Sequence, residues 1–354
     1  MDTKSAPYTG MTIKDSDITV VFQGPVLEGS NGTARLVHET KKVLPRSRYI
    51  LSTWIGSEVQ DISVDKVILS EDPGELPGIK CHVGTGEFNN INRQMRSTQC
   101  GLLEAESEYA IKIRTDCSLD GVGFLGCFKR FYRNDSPARI VVSSMFTIDP
   151  AMFEQMPYHI SDWFQFGKTT ELRSYWSAPF MSEIDATYYE IHPHAPHSTF
   201  MDRRFRCRLA VEQFVATHYA KRLGYAIPFY HNDLRPDVLA GHRRFLAERF
   251  VVLDPWDLGL RFEKYQWAYH SGFQKLNCLL YVDWYQLYME SEGVPTKDRF
   301  VDAAVRRRRA QKQMVRQLGR WVDRAGPWLL RPGVKRQVNR FLRVLEYQFA
   351  RSRL

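Results

Sequence analysis

No apolar run in the sequence reaches the roughly 20 residues that a helix needs to cross a bilayer. Residues 1–17 also lack the apolar centre of a secretory signal. A cytoplasmic chain is expected, peripheral on the inner face of the cytoplasmic membrane if it meets a membrane at all. The six cysteines are scattered, with no Cys-x-x-Cys pair, so reduced thiols are expected and a disulfide framework is not. Two enzyme signatures are missing: the phosphate loop Gly-x-x-x-x-Gly-Lys-Ser/Thr and the nucleophile elbow Gly-x-Ser-x-Gly. Their absence argues against phosphate-loop kinases and α/β-hydrolases. Gly121-Val-Gly-Phe-Leu-Gly126 has the dinucleotide Gly-x-Gly-x-x-Gly spacing, but it does not follow the first strand of a βαβ unit, so it is weak evidence for a dehydrogenase. Gly84-Thr-Gly86 is too short to count. His192, His194 and His197 are ligand-type residues, but Pro193 and Pro196 interrupt them and no fourth zinc ligand is evident.

Acid is scarce at one end. Residues 301–354 hold fifteen of the 49 Lys/Arg and three of the 40 Asp/Glu, so the first 300 residues are close to neutral. A nucleic-acid-coating protein would spread its charge, and no nucleic acid is expected. A local basic segment suits one anionic surface. Two apolar stripes run through it, Met314, Leu318, Trp321 and Ala325, then Val334, Val338, Phe341, Leu345 and Phe349, with breaks expected at Gly326-Pro327 and Pro332-Gly333. Basic helices with such stripes suit the surface of an anionic membrane, or else two ordinary packed helices with a solvated face.

The first half alternates strand and helix signals. Strands are expected at 18–23, 49–53, 66–70, 109–115 and 139–147, with helices at 33–44 and from 91 to about 105. Such alternation implies a mostly parallel sheet with helices on both faces, whose ligand lies beyond the carboxyl ends of the strands. Residues 158–260 read as irregular loops rich in aromatics, with one helix at 212–223. The expected organisation is a domain over 1–265, with a donor half at about 15–150 and an acceptor half at 151–265, then a basic helical segment over 266–354.

Several residues carry candidate chemistry. Asp116 stands just past the fourth strand, where an aspartate can hold Mg²⁺ or Mn²⁺ against a diphosphate, or serve as a turn or capping residue. Arg114 lies two residues back and can pair with phosphate directly. Gln23, Gly24 and Pro25 form the loop after the first strand. Asn89, Asn90 and Arg93 open the second helix with amides and a cation, suited to a diphosphate, a ribose or simple capping. Glu71 and Asp72 follow a strand end and can accept from a ribose or base. His159, Trp163 and Gln165 surround Asp162 in an aromatic segment that can stack on sugars. Asp162 and Glu212 are carboxylates able to take a proton from an acceptor hydroxyl, and Glu212 is equally an ordinary first-turn acid. His231-Asn232-Asp233 is a less specific polar cluster.

Six ordered blocks also resemble a known family. Val21-Phe-Gln-Gly-Pro-Val26, Ile50-Leu-Ser-Thr-Trp54, Val67-Ile-Leu-Ser-Glu-Asp-Pro-Gly74, Asn89-Asn-Ile-Asn-Arg-Gln94, Lys112-Ile-Arg-Thr-Asp116 and Tyr158-His-Ile-Ser-Asp-Trp-Phe-Gln-Phe-Gly167 are similar to the WavE lipopolysaccharide-synthesis family. The similarity runs from about 20 to about 265, near Phe262-Glu-Lys-Tyr265, and leaves the basic tail outside. It implies a GT-A-type glycosyltransferase building lipopolysaccharide core, O-antigen or capsule from a nucleotide-sugar donor onto a glycolipid or oligosaccharide acceptor. It gives Asp116 the metal place and Glu212 the base place, with Asp162 as rival. Arg114 stands where such enzymes carry the first acid of Asp-x-Asp, which makes the cation the weak point of the likeness. Two other classes remain open: a nucleotidyl- or phosphosugar-transferase on a similar sheet, and a non-catalytic polyanion-binding scaffold.

Overall fold

The computed structural model describes residues 11–29, 32–80, 88–132, 138–199, 202–262, 272–293 and 299–329. Seven strands form one sheet: β1 (Ile18–Gln23), β2 (Arg48–Trp54), β3 (Lys66–Ser70), β4 (Tyr109–Arg114), β5 (Ile140–Ser143), β6 (Phe164–Lys168) and β7 (Phe250–Leu253). Their spatial order is β3-β2-β1-β4-β6-β5-β7. Every pairing is parallel except those of β6, which runs antiparallel to both β4 and β5. The expected mostly parallel α/β sheet is therefore present. Its strands are apolar runs because both faces are covered; all six residues of β1 are buried.

The chain steps outward from β1 through α1 (Thr33–Val43) to β2 and β3, then returns through α2 (Ile91–Leu103) to the other side of β1. Right-handed crossovers then put α1 and α2 on opposite faces. The reversal between β1 and β4 is a topological switch point, the place where open α/β sheets bind ligands. The register sets Gln23 beside Arg114 at that point.

Helix α2 lies close on the sheet because Gly101 has no side chain. A Cβ there would sit 2.4 Å from Val21 Cγ1 and 3.0 Å from Ser52 Cβ. Gly101→Ala is expected to destabilise the fold by roughly 1–3 kcal/mol, the usual cost of overpacking a filled core. An unchanged midpoint in urea denaturation would remove this contact as the reason for the glycine.

The stretch 158–260, expected as loops, is largely regular. It holds β6, β7, α4 (Thr169–Trp176), α5 (Val211–Arg222) and α6 (Pro236–Arg249). β6 alternates, but both of its faces are buried: Phe164 and Phe166 pack against Phe124 and Phe128 of α3 (Gly123–Phe131), while polar Gln165 is buried on the other face. Gln165 accepts from Trp176 Nε1 at 2.6 Å.

Helices α7 (Tyr281–Ser291) and α8 (Arg299–Leu329) follow. α7 packs on α6, with Trp284 fully buried and donating to Leu246 O at 3.1 Å. Buried Arg308 ties α8 to α7 through Asp283 at 2.8 Å. The expected stop at Gly326-Pro327 is not taken, and α8 continues to Leu329. Met314, Leu318 and Trp321 are 57%, 45% and 59% exposed, so this stripe faces solvent. The second stripe, from Val334, lies outside the described residues. Among the described residues no helix is long and apolar enough to cross a membrane.

Candidate active site

The loop after β1 is built around one interaction. Gly24 has φ +121°, and a Cβ on it would fall 3.1 Å from Thr115 Oγ1. That hydroxyl donates to Pro25 O at 2.7 Å, and Thr115 N–H donates to Gln23 O at 3.1 Å. The ends of β1 and β4 are thereby joined at the switch point. Gln23 is buried, its Oε1 accepting from Ser97 of α2 at 2.9 Å, while Pro25 is exposed at the rim.

Arg114 and Asp116 engage each other. Arg114 Nε and Nη2 donate to the two Asp116 oxygens at 2.8 and 2.6 Å. This fork is the strongest geometry available to a guanidinium and a carboxylate. The Arg114 side chain is still 27% exposed, and its guanidinium lies 5.5 Å from the Trp163 ring centre. Burial acts to lower the Arg114 pKa, but the charges of Asp162 and Asp116 outweigh it and hold the group firmly protonated.

The donor set at Asp116 fits a cation poorly. Both oxygens accept from the guanidinium, and no group of three His, Cys, Asp or Glu among the described residues could hold an ion. A cation there would have to share the carboxylate with the guanidinium.

Because β6 is antiparallel, its beginning meets the carboxyl end of β4. Asp162 and Trp163 therefore stand beside Arg114, whose N–H donates to Trp163 O at 3.3 Å. Asp162 is buried. Its Oδ2 accepts from Gln94 and lies 3.4 Å from Lys112 Nζ. Lys112, in the centre of β4 and fully buried, also donates to the Asp162 carbonyl and sits 4.8 Å from the Trp176 ring centre.

Glu212 occupies the first turn of α5. The next residue fixes that turn: buried Gln213 donates to Pro157 O and His231 O at 2.7 and 2.8 Å. Glu212 Oε2 then lies 3.3 Å from His159 Nε2, and His159 Nδ1 lies 2.9 Å from Phe146 O. Burial pushes the Glu212 carboxyl up, but the His159 charge and hydrogen bond, with help from Arg114, bring it below the ordinary 4.5. Burial pulls His159 down, and the Glu212 charge more than reverses it, to above 6.5. The Glu212 side chain keeps 20% exposure.

The other expected donor residues are engaged internally. Asn89 is buried, accepting from Ile91 N–H at 3.1 Å and reaching Met181 Sδ at 3.5 Å. Arg93 is held by Asp72 at 2.7 Å, by Glu75 at 3.3 Å and by Asn90 Oδ1 at 2.9 Å. Its hydrogen bonds, helped by Gly74 N–H and by its charge, keep the Asp72 carboxyl below the ordinary value. Asn90, Asp72 and Arg93 thus form a surface cluster at the start of α2, with Glu71 exposed beside it. Of the histidines, His194 stacks on Tyr189 at 3.9 Å and His192 on Tyr188 at 4.1 Å. His231 stacks on Phe205 at 4.2 Å.

The sheet with its switch point, a guanidinium–carboxylate fork and a carboxylate–imidazole pair define an α/β protein with a candidate site at the carboxyl ends of β1 and β4. The chain belongs to the WavE lipopolysaccharide-synthesis family, whose profile matches residues 18–318. The match extends beyond 265 into α8, so the expected limit at the basic tail is too short. Among solved structures, the mannosyltransferase PcManGT of Pyrobaculum calidifontis, in complex with GDP-Man and Mn²⁺, is similar at 11% identity with a TM-score of 0.31, over 65% of this chain. The chain spans 60% of that enzyme's length. HddC of Yersinia pseudotuberculosis, complexed with GMP-PN, is similar at 9% identity and a TM-score of 0.26, over 46% of this chain and 80% of its own. Among curated proteins, none matches in sequence.

Proposed function

We propose that the protein is a glycosyltransferase of lipopolysaccharide synthesis, moving a sugar from a nucleotide-activated donor to a hydroxyl of a glycolipid or oligosaccharide acceptor. The observation that carries this reading is the Arg114–Asp116 fork at the β1/β4 switch point, with Glu212 close enough for the Arg114 charge to help lower its carboxyl. The acceptor oxygen attacks the anomeric carbon as its proton passes to Glu212. The bond from that carbon to the phosphate oxygen breaks, and Arg114 meets the charge that develops on the leaving group. Glu212 suits the base role better than Asp162, which is buried and already bound by Gln94 and Lys112. Trp163 is buried beneath Arg114 and packs on Phe146 and Phe262, so it supports the guanidinium and leaves no face for a sugar. A thermal-shift screen with UDP, GDP, CMP and their sugars tests the reading, because a bound nucleotide raises the melting temperature. Stabilisation by none of them would sink it. Release of pyrophosphate in place of a nucleoside mono- or diphosphate would establish a nucleotidyltransferase.

On this reading Arg114 becomes the counter-charge as the leaving phosphate takes it from Asp116, with any Mg²⁺ or Mn²⁺ secondary. Turnover is expected to fall less than about threefold in EDTA, whereas Arg114→Ala should lower it by roughly 10²–10³, as loss of a transition-state donor does. Activity abolished by EDTA and restored by Mn²⁺ would give the role back to a cation at Asp116.

The exposed Met314–Leu318–Trp321 stripe, on a helix that also exposes Arg306, Arg307 and Arg324, is proposed to rest on the cytoplasmic face of an anionic membrane. The full chain is expected to sediment with phosphatidylglycerol vesicles and far less with phosphatidylcholine. Trp321→Glu should reduce that binding about tenfold, and equal binding by the variant would disprove the contact.

A further inference from the structure

A cavity of about 670 Å³ opens between the 149–155 loop, α6, α7 and α8. Its size falls within the ~300–1,000 Å³ of small-ligand sites. Met152, Leu239, Leu246, Leu287 and Val315 make its walls apolar. Five cations also line it, against two carboxylates, Asp149 and Asp283.

Both carboxylates are already neutralised. Lys312 bridges them at 2.5 and 2.9 Å, and Arg308 adds a second bond to Asp283. Arg243 pairs with Glu290 at 2.6 Å. Arg309, Arg316 and Arg320 are exposed at the cavity and have no carboxylate partner among the described residues. Arg316 makes one bond, to Ala151 O at 3.2 Å. Their spacing of seven and four residues puts the three guanidinium groups along one side of α8. An apolar chamber with unneutralised cations at its side selects a molecule that is apolar along its length and anionic at one end.

The cavity is joined to the site by backbone. His242 on its wall accepts from Tyr158 N–H at 3.0 Å, one residue before His159. Ile148 N–H, next to Asp149, donates to His159 O at 3.0 Å. Among the described residues the non-glycine positions with left-handed φ are Phe146, Gln155 and Tyr158, all in this connecting segment. Such strain persists only where the surrounding structure enforces it.

We propose that the cavity holds the anionic head and the first part of the alkyl chain of the lipid acceptor, placing the sugar of that lipid toward Glu212. This deepens the transferase reading and rests on it for the word acceptor, while the ligand class rests on the cavity alone.

Calorimetric titration of the full chain with alkyl phosphates, kept below their micelle concentrations, tests it. Decyl phosphate is expected to bind one per chain, and octyl phosphate about tenfold more weakly, as the loss of two buried CH₂ groups requires. Decyl maltoside and inorganic phosphate should each bind at least tenfold more weakly than decyl phosphate. Leu287→Trp, which fills the chamber, and the exposed pair Arg316→Gln/Arg320→Gln should each weaken decyl phosphate about tenfold. Inorganic phosphate binding as well as decyl phosphate, or both variants binding like the wild type, would overturn the proposal. Nucleotide binding is read on the same samples. Its loss with decyl phosphate retained defeats the transferase reading alone, and the reverse defeats the cavity alone.

Discussion

Glu212→Gln is expected to lower kcat by roughly 10²–10⁴, the range attributed to a positioned general base. The donor KM should change less than about threefold, because the side chain is paired with His159 and not with a residue of the β1/β4 loop. The amide keeps the size of the carboxylate and can still meet His159 Nε2 at the 3.3 Å separation, so the fold should stand. A kcat within threefold of wild type would remove Glu212 from the chemistry and return Asp162 to consideration.

The pair also dictates a pH profile. Protonated His159 holds Glu212 ionised but weakly basic. As pH rises through the elevated His159 value, above 6.5, the imidazole loses its charge and the carboxylate becomes a better base. The rate should climb over that range. In Glu212→Gln burial acts on His159 against only the Glu154 charge and the Phe146 carbonyl, so its titration should move down, which NMR can follow. The signs for stability follow from the same shifts. The depressed Glu212 contributes stability above its ordinary 4.5, and loses it as pH falls through its lower folded value. The raised His159 contributes fully below 6.5 and loses it as pH rises through its higher folded value.

The donor half was legible because its signals are local. Apolar runs bounded by Gly24-Pro25 and by the turn at Pro73-Gly74 place β1 and β3 correctly, and the 4-3-4-3 spacing from Ile91 places α2. The pairing of Arg114 with Asp116 was not legible. Period-2 alternation puts the two on one side, but whether the fork closes on a carboxylate or waits for phosphate is decided by χ angles and by Trp163 beneath it. The asparagines mislead for a related reason: Asn89 and Asn92 are the right type for a ligand, yet their amides are spent holding Met181. β6 and the stretch around it depend on non-local partners, since Gln165 is buried only because Trp176 lies above it. Gln213, which sets the position of Glu212, carries no signal of its own in a chain rich in polar helix starts.

Lys112, a buried lysine inside the apolar run of β4, supports the second large effect. Lys112→Met should destabilise the protein by about 3–5 kcal/mol, the cost of leaving one buried charge without its partner. The charge left is Asp162, whose Oδ1 already has no hydrogen-bond partner and whose Oδ2 would keep only Gln94. The backbone suffers too, since Lys112 Nζ caps the Asp162 carbonyl directly before the Trp163 peptide that receives Arg114. Lys112→Met/Asp162→Leu removes both charges and should recover most of the loss, because a buried ion pair replaced by apolar groups is often neutral. Burial lowers the Lys112 pKa despite the attraction of Asp162, from an ordinary 10.5. The folded state then binds fewer protons than the unfolded one between the lowered value and 10.5, so wild-type stability should rise with pH across that window. The double variant should lose that rise. Urea denaturation of the four proteins of the cycle between pH 6 and about pH 10 reads both effects. A single variant costing under about 1 kcal/mol would show that water or a shifted Gln94 reaches Asp162, and that the pair at the root of the site is not what holds β4 to β6.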